Sequence, residues 1–460
     1  MKLKKNNRPK SEINYYVNLL GIILFIFSIY AFHKGFITFE NNNLSDKDKA
    51  LYEVKITLVT ILATIIPIII FDLFIFKMFK KEQVKLSARN PFNPGRVIIK
   101  LFGLIITFAS IIFIYWLLPE YGDWYKRYFY LLEYIFYPSL IFALFYFPFI
   151  DKRMEDPLDG YWHIGNLFLS AILPNKRNMI NKSILAEHAR NWAVKAFFFP
   201  LMFIFLSNDI IFLLEFDYSK VDFSLSAFDS PQKFGRLFDF LYSFIFTIDV
   251  AFAAIGYMMT FKILNSHIRS VEPTVLGWAV CIMCYPPFWA GFFANTYFAY
   301  NNDYYWGEWL GKDPKIYVIW GSTILILIAI YTLATIALGY RFSNLTYRGL
   351  VTSGPYRYTK HPAYITKCLS WWLISIPFIS NDGWISAVKM SLLLAGLCFI
   401  YFLRARTEEN HLSNYPEYVE YAEWMNENGV FRFVGKLLPF LKYDENRAKK
   451  SGSIIWNKKQ

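Results

Sequence analysis

Apolar stretches of about twenty residues recur along almost the whole chain, and no other feature limits its folding so strongly. Inside a bilayer the backbone must satisfy its own N–H and C=O groups, so stretches of this length form spanning helices. About ten are present, at roughly 15 to 33, 54 to 76, 97 to 118, 128 to 150, 193 to 214, 237 to 261, 273 to 296, 316 to 339, 365 to 379 and 384 to 402. With 55% hydrophobic and only 18% charged residues, the 460-residue chain has the composition to match. The expected fold is all-α: a polytopic integral membrane helical bundle of about ten transmembrane helices.

A net charge of +13 invites a nucleic-acid partner, but membrane topology accounts for it. Short cytoplasmic loops collect Lys and Arg. With the N-terminus inside, 36 of the 48 lysines and arginines fall on the inner segments. No nucleic-acid partner is expected, and both termini are expected in the cytoplasm. The basic start MKLKKNNRPK precedes an apolar stretch with no small-residue cleavage site after it, which reads as a retained first span. Cys281, Cys284, Cys368 and Cys398 all lie within expected spans. The C-x-x-C pair has no second pair and no nearby His, so it reads as two small apolar residues on a helix, and no metal is expected.

Polar residues inside apolar stretches are more informative than the stretches themselves. Asp249, in FTIDVAFAAIGY, reads either as a functional carboxylate or as a helix-to-helix hydrogen bond. Asp72 lies nearer a span end, where reaching out to water is the simpler account. The stretch HIGNLFLSAIL is expected to lie along the membrane interface as an amphipathic helix.

Two polar knots interrupt the apolar pattern near the C-terminus: GPYRYTKHPAYITK, residues 354–367, and RARTEENHLSNYPEY, residues 404–418. Between them lie two apolar segments joined at Asn381, Asp382 and Gly383, good turn residues. A two-helix hairpin follows, which brings the knots to one face of the membrane. Pro362 pushes His361 away from helical geometry, so the first knot is a loop carrying Arg357, Lys360, His361, Tyr356, Tyr358 and Tyr364. In the second, Arg404, Glu408 and Leu412 share a helical face, with Arg406, Glu409 and Tyr415 offset around it. Such residues are common at the hydrated ends of spans. They also form a cradle for a ligand with amine and hydroxyl groups, which carboxylates accept from and tyrosines stack upon.

The segments GLVTSGPYRYTKHPAYITK and RARTEENHLSNYPEYVEYAEW closely resemble the paired motifs of the isoprenylcysteine carboxyl methyltransferase family, integral membrane enzymes that use S-adenosylmethionine. The match includes Gly354, Tyr356, His361, Pro362, Tyr364, Arg406, Glu408, Glu409, Leu412, Tyr418 and Tyr421. The resemblance divides the chain into a multi-span region, 1–315, a methyltransferase-like catalytic module, 316–443, and a basic tail, 444–460. It implies a cytoplasmic cofactor pocket and a lipid acceptor entering from the bilayer. Tyr356, His361, Pro362 and Tyr364 would line the cofactor site, with Glu408 and Glu409 holding its polar end. Arg406 would orient an anionic acceptor beside Lys360, which stands where the family has Arg and keeps the charge but not the bidentate fork.

The acceptor implied is a prenylcysteine-like carboxylate or a lipid headgroup. A carboxylate needs no general base, whereas an amine must first lose a proton to a nearby carboxylate or His. Two other classes share these features: a membrane sterol-type NADPH reductase, and a non-enzymatic transporter or scaffold in which the early spans do the work.

Overall fold

The computed structural model describes residues 7–38, 45–75, 90–172, 180–300, 305–310 and 313–452. It is a helical membrane protein whose described strands are two residues long, at Ser270–Val271 and Thr346–Tyr347. Among the described residues, eight helices are long and apolar enough to cross a bilayer: Tyr15–His33, Asp46–Phe74, Pro94–Leu117, Asp123–Asp151, Lys182–Glu215, Pro231–Met258, Pro314–Arg341 and Trp384–Leu412. Each coincides with an apolar stretch of the sequence. The two remaining stretches are shorter elements. One is a helix, Val275–Ile282, followed across Pro286 and Pro287 by a π-helical segment, Trp289–Tyr297. Proline removes a ladder donor and clashes with the preceding turn, which is why the apolar run does not continue as one α-helix. The other, Pro362–Ser375, has 14 residues and ends at Ile376 in a left-handed conformation, with Pro377 next.

The chain divides into two compact units, one of Met1–Leu19, Glu215–Phe252 and Glu272–Gln460, the other of Leu20–Leu214 and Ala253–Val271. In the first, Phe234, Phe238, Trp306, Ile324, Ile328 and Ile376 build an apolar core. A second cluster of Leu350, Tyr418, Tyr421, Ala422, Met425 and Tyr443 packs the helix Pro416–Asn428 under the loop that follows Pro314–Leu338. The N-terminal residues pin that loop. Glu12 receives Arg341 Nη1 at 3.0 Å and the Leu350 N–H at 3.1 Å, and Asn18 Nδ2 donates to the Ile336 carbonyl at 2.8 Å.

In the second unit, Pro94–Leu117 and the helix Gly160–Ile172 cross at backbone contact. A Cβ on Gly103 would lie 1.9 Å from the Tyr161 carbonyl oxygen, and one on Gly165 would lie 2.2 Å from that of Ile99. Beside the crossing, buried Asp151 takes a forked bond from Arg96 and a 2.8 Å ion pair from Lys100. The Gly160–Ile172 helix does not present its polar side to water as an interfacial helix does. His163, Asn166 and Ser170 are buried, while Leu167 and Phe168 are exposed, the pattern of an element with lipid outside and protein within. Asp72 also differs from expectation: it is buried, in the π-helical turn Phe71–Ile75.

Candidate active site

Every residue of the two knots lies in the first unit, and backbone geometry fixes the first of them. Gly354 has a φ of +59°, and a Cβ there would come within 2.9 Å of the Tyr15 ring, so only glycine turns the chain at this point. The Tyr421 hydroxyl donates to the Tyr356 carbonyl at 2.6 Å, and the Val430 N–H donates to the Tyr358 carbonyl at 2.9 Å, tying the loop to the Pro416–Asn428 helix. Pro362 then occupies the first position of the next helix, which leaves His361 as its non-helical N-cap.

Glu408 and Glu409 are neighbours on the Trp384–Leu412 helix, so their side chains diverge by about 100° and do not share a task. Glu409 turns to the loop and is buried. It pairs with Lys360, accepts from His361 Nε2 at 3.2 Å, and receives Arg406 Nη1 at 2.8 Å. Arg406 also donates to the Phe440 carbonyl. Burial pulls the Lys360 ammonium below its ordinary range, against the opposing pull of Glu409. Glu408 points the other way and stays partly open. It accepts from the Tyr364 hydroxyl at 2.9 Å and lies 3.8 Å from His361 Nδ1. The His361 and Tyr364 rings are nearly parallel, 8° apart with centroids 5.7 Å from each other.

These groups border a cleft of about 930 Å³, counting the solvent at its mouth. Of the residues singled out in the sequence, Tyr356, Lys360, His361, Tyr364 and Glu408 line it. Pro362, Glu409 and Arg406 are not among the lining residues; they stand behind the loop and hold it. Several groups to which the sequence reading gave no site role also line the cleft: Arg404, Lys367 and His411 within the knots, and Glu272 and the tyrosines 285, 331 and 401. Arg404 had a signal, since it shares a helical face with Glu408. Glu272 had none, since it lies far from both knots in sequence.

Arg404 is 7% exposed. It donates to Asn344 Oδ1 and lies among the rings of Tyr364, Tyr285 and Tyr401, at 5.0, 5.5 and 5.8 Å. No carboxylate among the described residues pairs with it. On the wall formed by the start of Val275–Ile282, Glu272 is buried as well. Its Oε1 receives the Thr274 N–H at 2.9 Å and the Thr274 hydroxyl, Thr274 being the residue that caps that helix, and its Oε2 lies 3.9 Å from His411 Nδ1. Burial pushes the Glu272 carboxyl above the usual range, and the Thr274 bonds pull it back only in part. Asp249 resolves as a helix-to-helix hydrogen bond, accepting from Tyr331 at 3.0 Å and from Thr335, both on Pro314–Leu338.

No characterised protein and no solved structure matches the chain. A family model does match, over residues 316–414, the span that holds the first knot, the hairpin and the second knot as far as Asn414: that of the isoprenylcysteine carboxyl methyltransferase (ICMT) family, a similarity that makes this C-terminal module, in general kind, a membrane methyltransferase.

Proposed function

We propose that this protein transfers a methyl group from S-adenosylmethionine to a lipid-soluble acceptor, in a cleft that opens to the cytoplasm. The observation that carries the proposal is the buried guanidinium of Arg404 facing the cleft without a carboxylate partner. A buried charge left so is costly unless a ligand completes it, and a guanidinium is the group best shaped for a carboxylate. The other lining groups suit the rest of the cofactor. Glu408 is placed for its ammonium or ribose hydroxyls, the parallel His361 and Tyr364 rings for its purine, and the faces of Tyr285 and Tyr401 for its positive charge. The cofactor supplies an activated methyl group; the chain binds, orients and keeps water out. Lys360, Glu409 and Arg406 serve by fixing the loop, and the 36 inner lysines and arginines favour a cytoplasmic mouth.

The test is calorimetric binding of S-adenosylhomocysteine, beside NADPH, to the full chain in mild detergent. The expected result is binding of S-adenosylhomocysteine, weakened about 10- to 100-fold by Arg404→Met, the worth of a charged hydrogen bond or two. Binding of NADPH alone would put a reductase in its place. Binding of neither to folded protein would remove the enzymatic reading.

A further inference from the structure

Two neighbouring segments near the C-terminus divide their charge. The helix Pro416–Asn428 carries Glu417, Glu420, Glu423 and Glu427 and no Lys or Arg. Residues 430–442, VFRFVGKLLPFLK, carry Arg432, Lys436 and Lys442, all exposed, and no acid. This second segment, with the short helix Arg432–Leu437 within it, lies outside the eight long helices and beyond the residues that the family model matches. Its apolar side chains nevertheless face outward. Phe433, Leu437 and Phe440 are 56%, 76% and 59% exposed, and Val430, Phe431 and Leu438 are exposed as well. A cluster of exposed large apolar residues marks a contact with protein or membrane.

The height of the segment follows from the helix beside it. At 1.5 Å per residue, Arg406 stands about 33 Å along Trp384–Leu412 from its start, against a hydrocarbon layer of roughly 30 Å. Trp384, which is 76% exposed, is of the residue type that collects at a membrane boundary. Arg406 therefore emerges at the other boundary, and there it donates to the Phe440 carbonyl.

We infer that residues 430–442 seat in the leaflet around this end of the helix, the cytoplasmic one on the orientation proposed above. The phenylalanines and leucines enter the acyl boundary, and Arg432, Lys436 and Lys442 meet anionic headgroups. The apolar side chains alone would suit a protein partner as well; the height of the segment and its basic residues without a single acid suit anionic lipid. The segment is also tied to the cofactor loop at two points. The Val430 N–H donates to the Tyr358 carbonyl at 2.9 Å, and Arg406, bonded to Phe440, donates to Glu409, which holds Lys360 and His361. Seating in the leaflet thus steadies the loop, so anionic lipid tightens cofactor binding. This last consequence rests on the cofactor assignment above; the seating itself does not.

Two measurements on the full chain in lipid nanodiscs test the inference. In the first, a nitroxide is attached at Leu437→Cys or, as control, at Glu427→Cys on the acidic helix, and the signal of the native cysteines is subtracted. Its collisions with oxygen, which concentrates among acyl chains, are compared with those with a water-soluble nickel chelate. Leu437→Cys should favour oxygen and Glu427→Cys the chelate. Equal access of the chelate to both would leave the segment in water and overturn the inference. Shielding of position 437 from both probes, with dipolar broadening between labels, would put a second copy of the chain on this surface and overturn it too. In the second, S-adenosylhomocysteine affinity is measured in phosphatidylcholine discs with and without phosphatidylserine. Phosphatidylserine should tighten binding about 5- to 10-fold, part of what three basic residues supply at roughly fivefold each on an anionic surface. Arg432→Gln, Lys436→Gln and Lys442→Gln together should remove the gain and leave the affinity in phosphatidylcholine alone unchanged. Absence of a gain in the native chain, or a gain that survives the triple substitution, overturns the role of anionic lipid. A native chain that binds S-adenosylhomocysteine in neither disc would bring down the cofactor assignment instead, and the nitroxide depth would still decide the seating.

Discussion

Two adjacent glutamates with the same chemistry should respond very differently to the same substitution. Glu409 is buried and holds two cations and an imidazole, with Lys360 and Arg406 side chains only 12% and 18% exposed. Glu409→Gln strands a buried ammonium, a change that costs about 3 kcal/mol or more. It should lower the thermal unfolding midpoint clearly and weaken cofactor binding as the loop loosens. Glu408→Gln keeps an acceptor for the Tyr364 hydroxyl and gives up only the charge of a side chain that is 43% exposed. Here S-adenosylhomocysteine affinity should fall while the midpoint barely moves; equal midpoint shifts for both variants would contradict the division of labour. Glu272 makes a pH prediction. Its carboxyl is raised on folding, so the native state holds that proton more tightly than the unfolded chain does. The stability it contributes is full below the unfolded value of 4.5 and is lost as pH rises through the folded one. Glu272→Gln keeps an acceptor for Thr274 and has nothing to titrate, so its midpoint relative to the native chain should rise from acid to neutral pH. A difference independent of pH would refute this. The same residues show how far a sequence can be read. Spacing pointed to His361, Tyr364 and the glutamate pair, because local chain geometry holds them. Which glutamate and which arginine face the cleft depends on the phase of one helix against its neighbours, and Glu272 enters only through packing between distant segments.

At the scale of elements, the positions of the long helices followed from the apolar runs, but Lys182–Glu215 and Trp384–Leu412 extend about ten residues past theirs, and Pro67, Pro138, Pro148 and Pro200 lie inside helices that continue through them. The crossing of Pro94–Leu117 and Gly160–Ile172 was not legible, because a close approach depends on which faces meet. Small residues let membrane helices touch backbone to backbone. Gly103 is such a residue, and the atom its Cβ would strike is a main-chain oxygen, which cannot rotate away. Gly103→Ala therefore forces the two helices apart, at a cost of roughly 1–3 kcal/mol or more for overpacking, together with loss of the contacts around them. Gly291 provides the control, since a Cβ there meets nothing within 4 Å. Thermal unfolding in detergent should show a marked loss for Gly103→Ala and almost none for Gly291→Ala. Similar midpoints would mean that the crossing relaxes without cost.

For the whole molecule, the eight long helices alone do not give a consistent path. His361 and Glu409 are hydrogen-bonded, so the residues just before Pro362–Ser375 and those near the end of Trp384–Leu412 lie at one membrane face. If Trp384–Leu412 crosses the bilayer, the chain must also cross between 362 and 383. The 14-residue helix covers only about 21 Å of a hydrocarbon layer near 30 Å, and residues 376–383 make up the remainder. The far end of this short arm is held to the adjoining span, where Trp320 Nε1 donates to the Leu373 carbonyl at 2.8 Å. Charge sets the direction: residues 341–367 carry five lysines and arginines and 403–460 carry ten, whereas 376–383 carry none. Arg357 and Asp382 are both exposed and lie at opposite ends of the arm. With a membrane-impermeant maleimide, Asp382→Cys should label in intact cells and Arg357→Cys only after permeabilisation, above the background of native cysteines that are buried or half-buried. Labelling of both under one condition would mean that the short arm re-enters rather than crosses. The eight long helices would then have to set the topology alone, and the shared face of the two knots would require Trp384–Leu412 to re-enter as well. Labelling on opposite sides would fix the cleft on the cytoplasmic face.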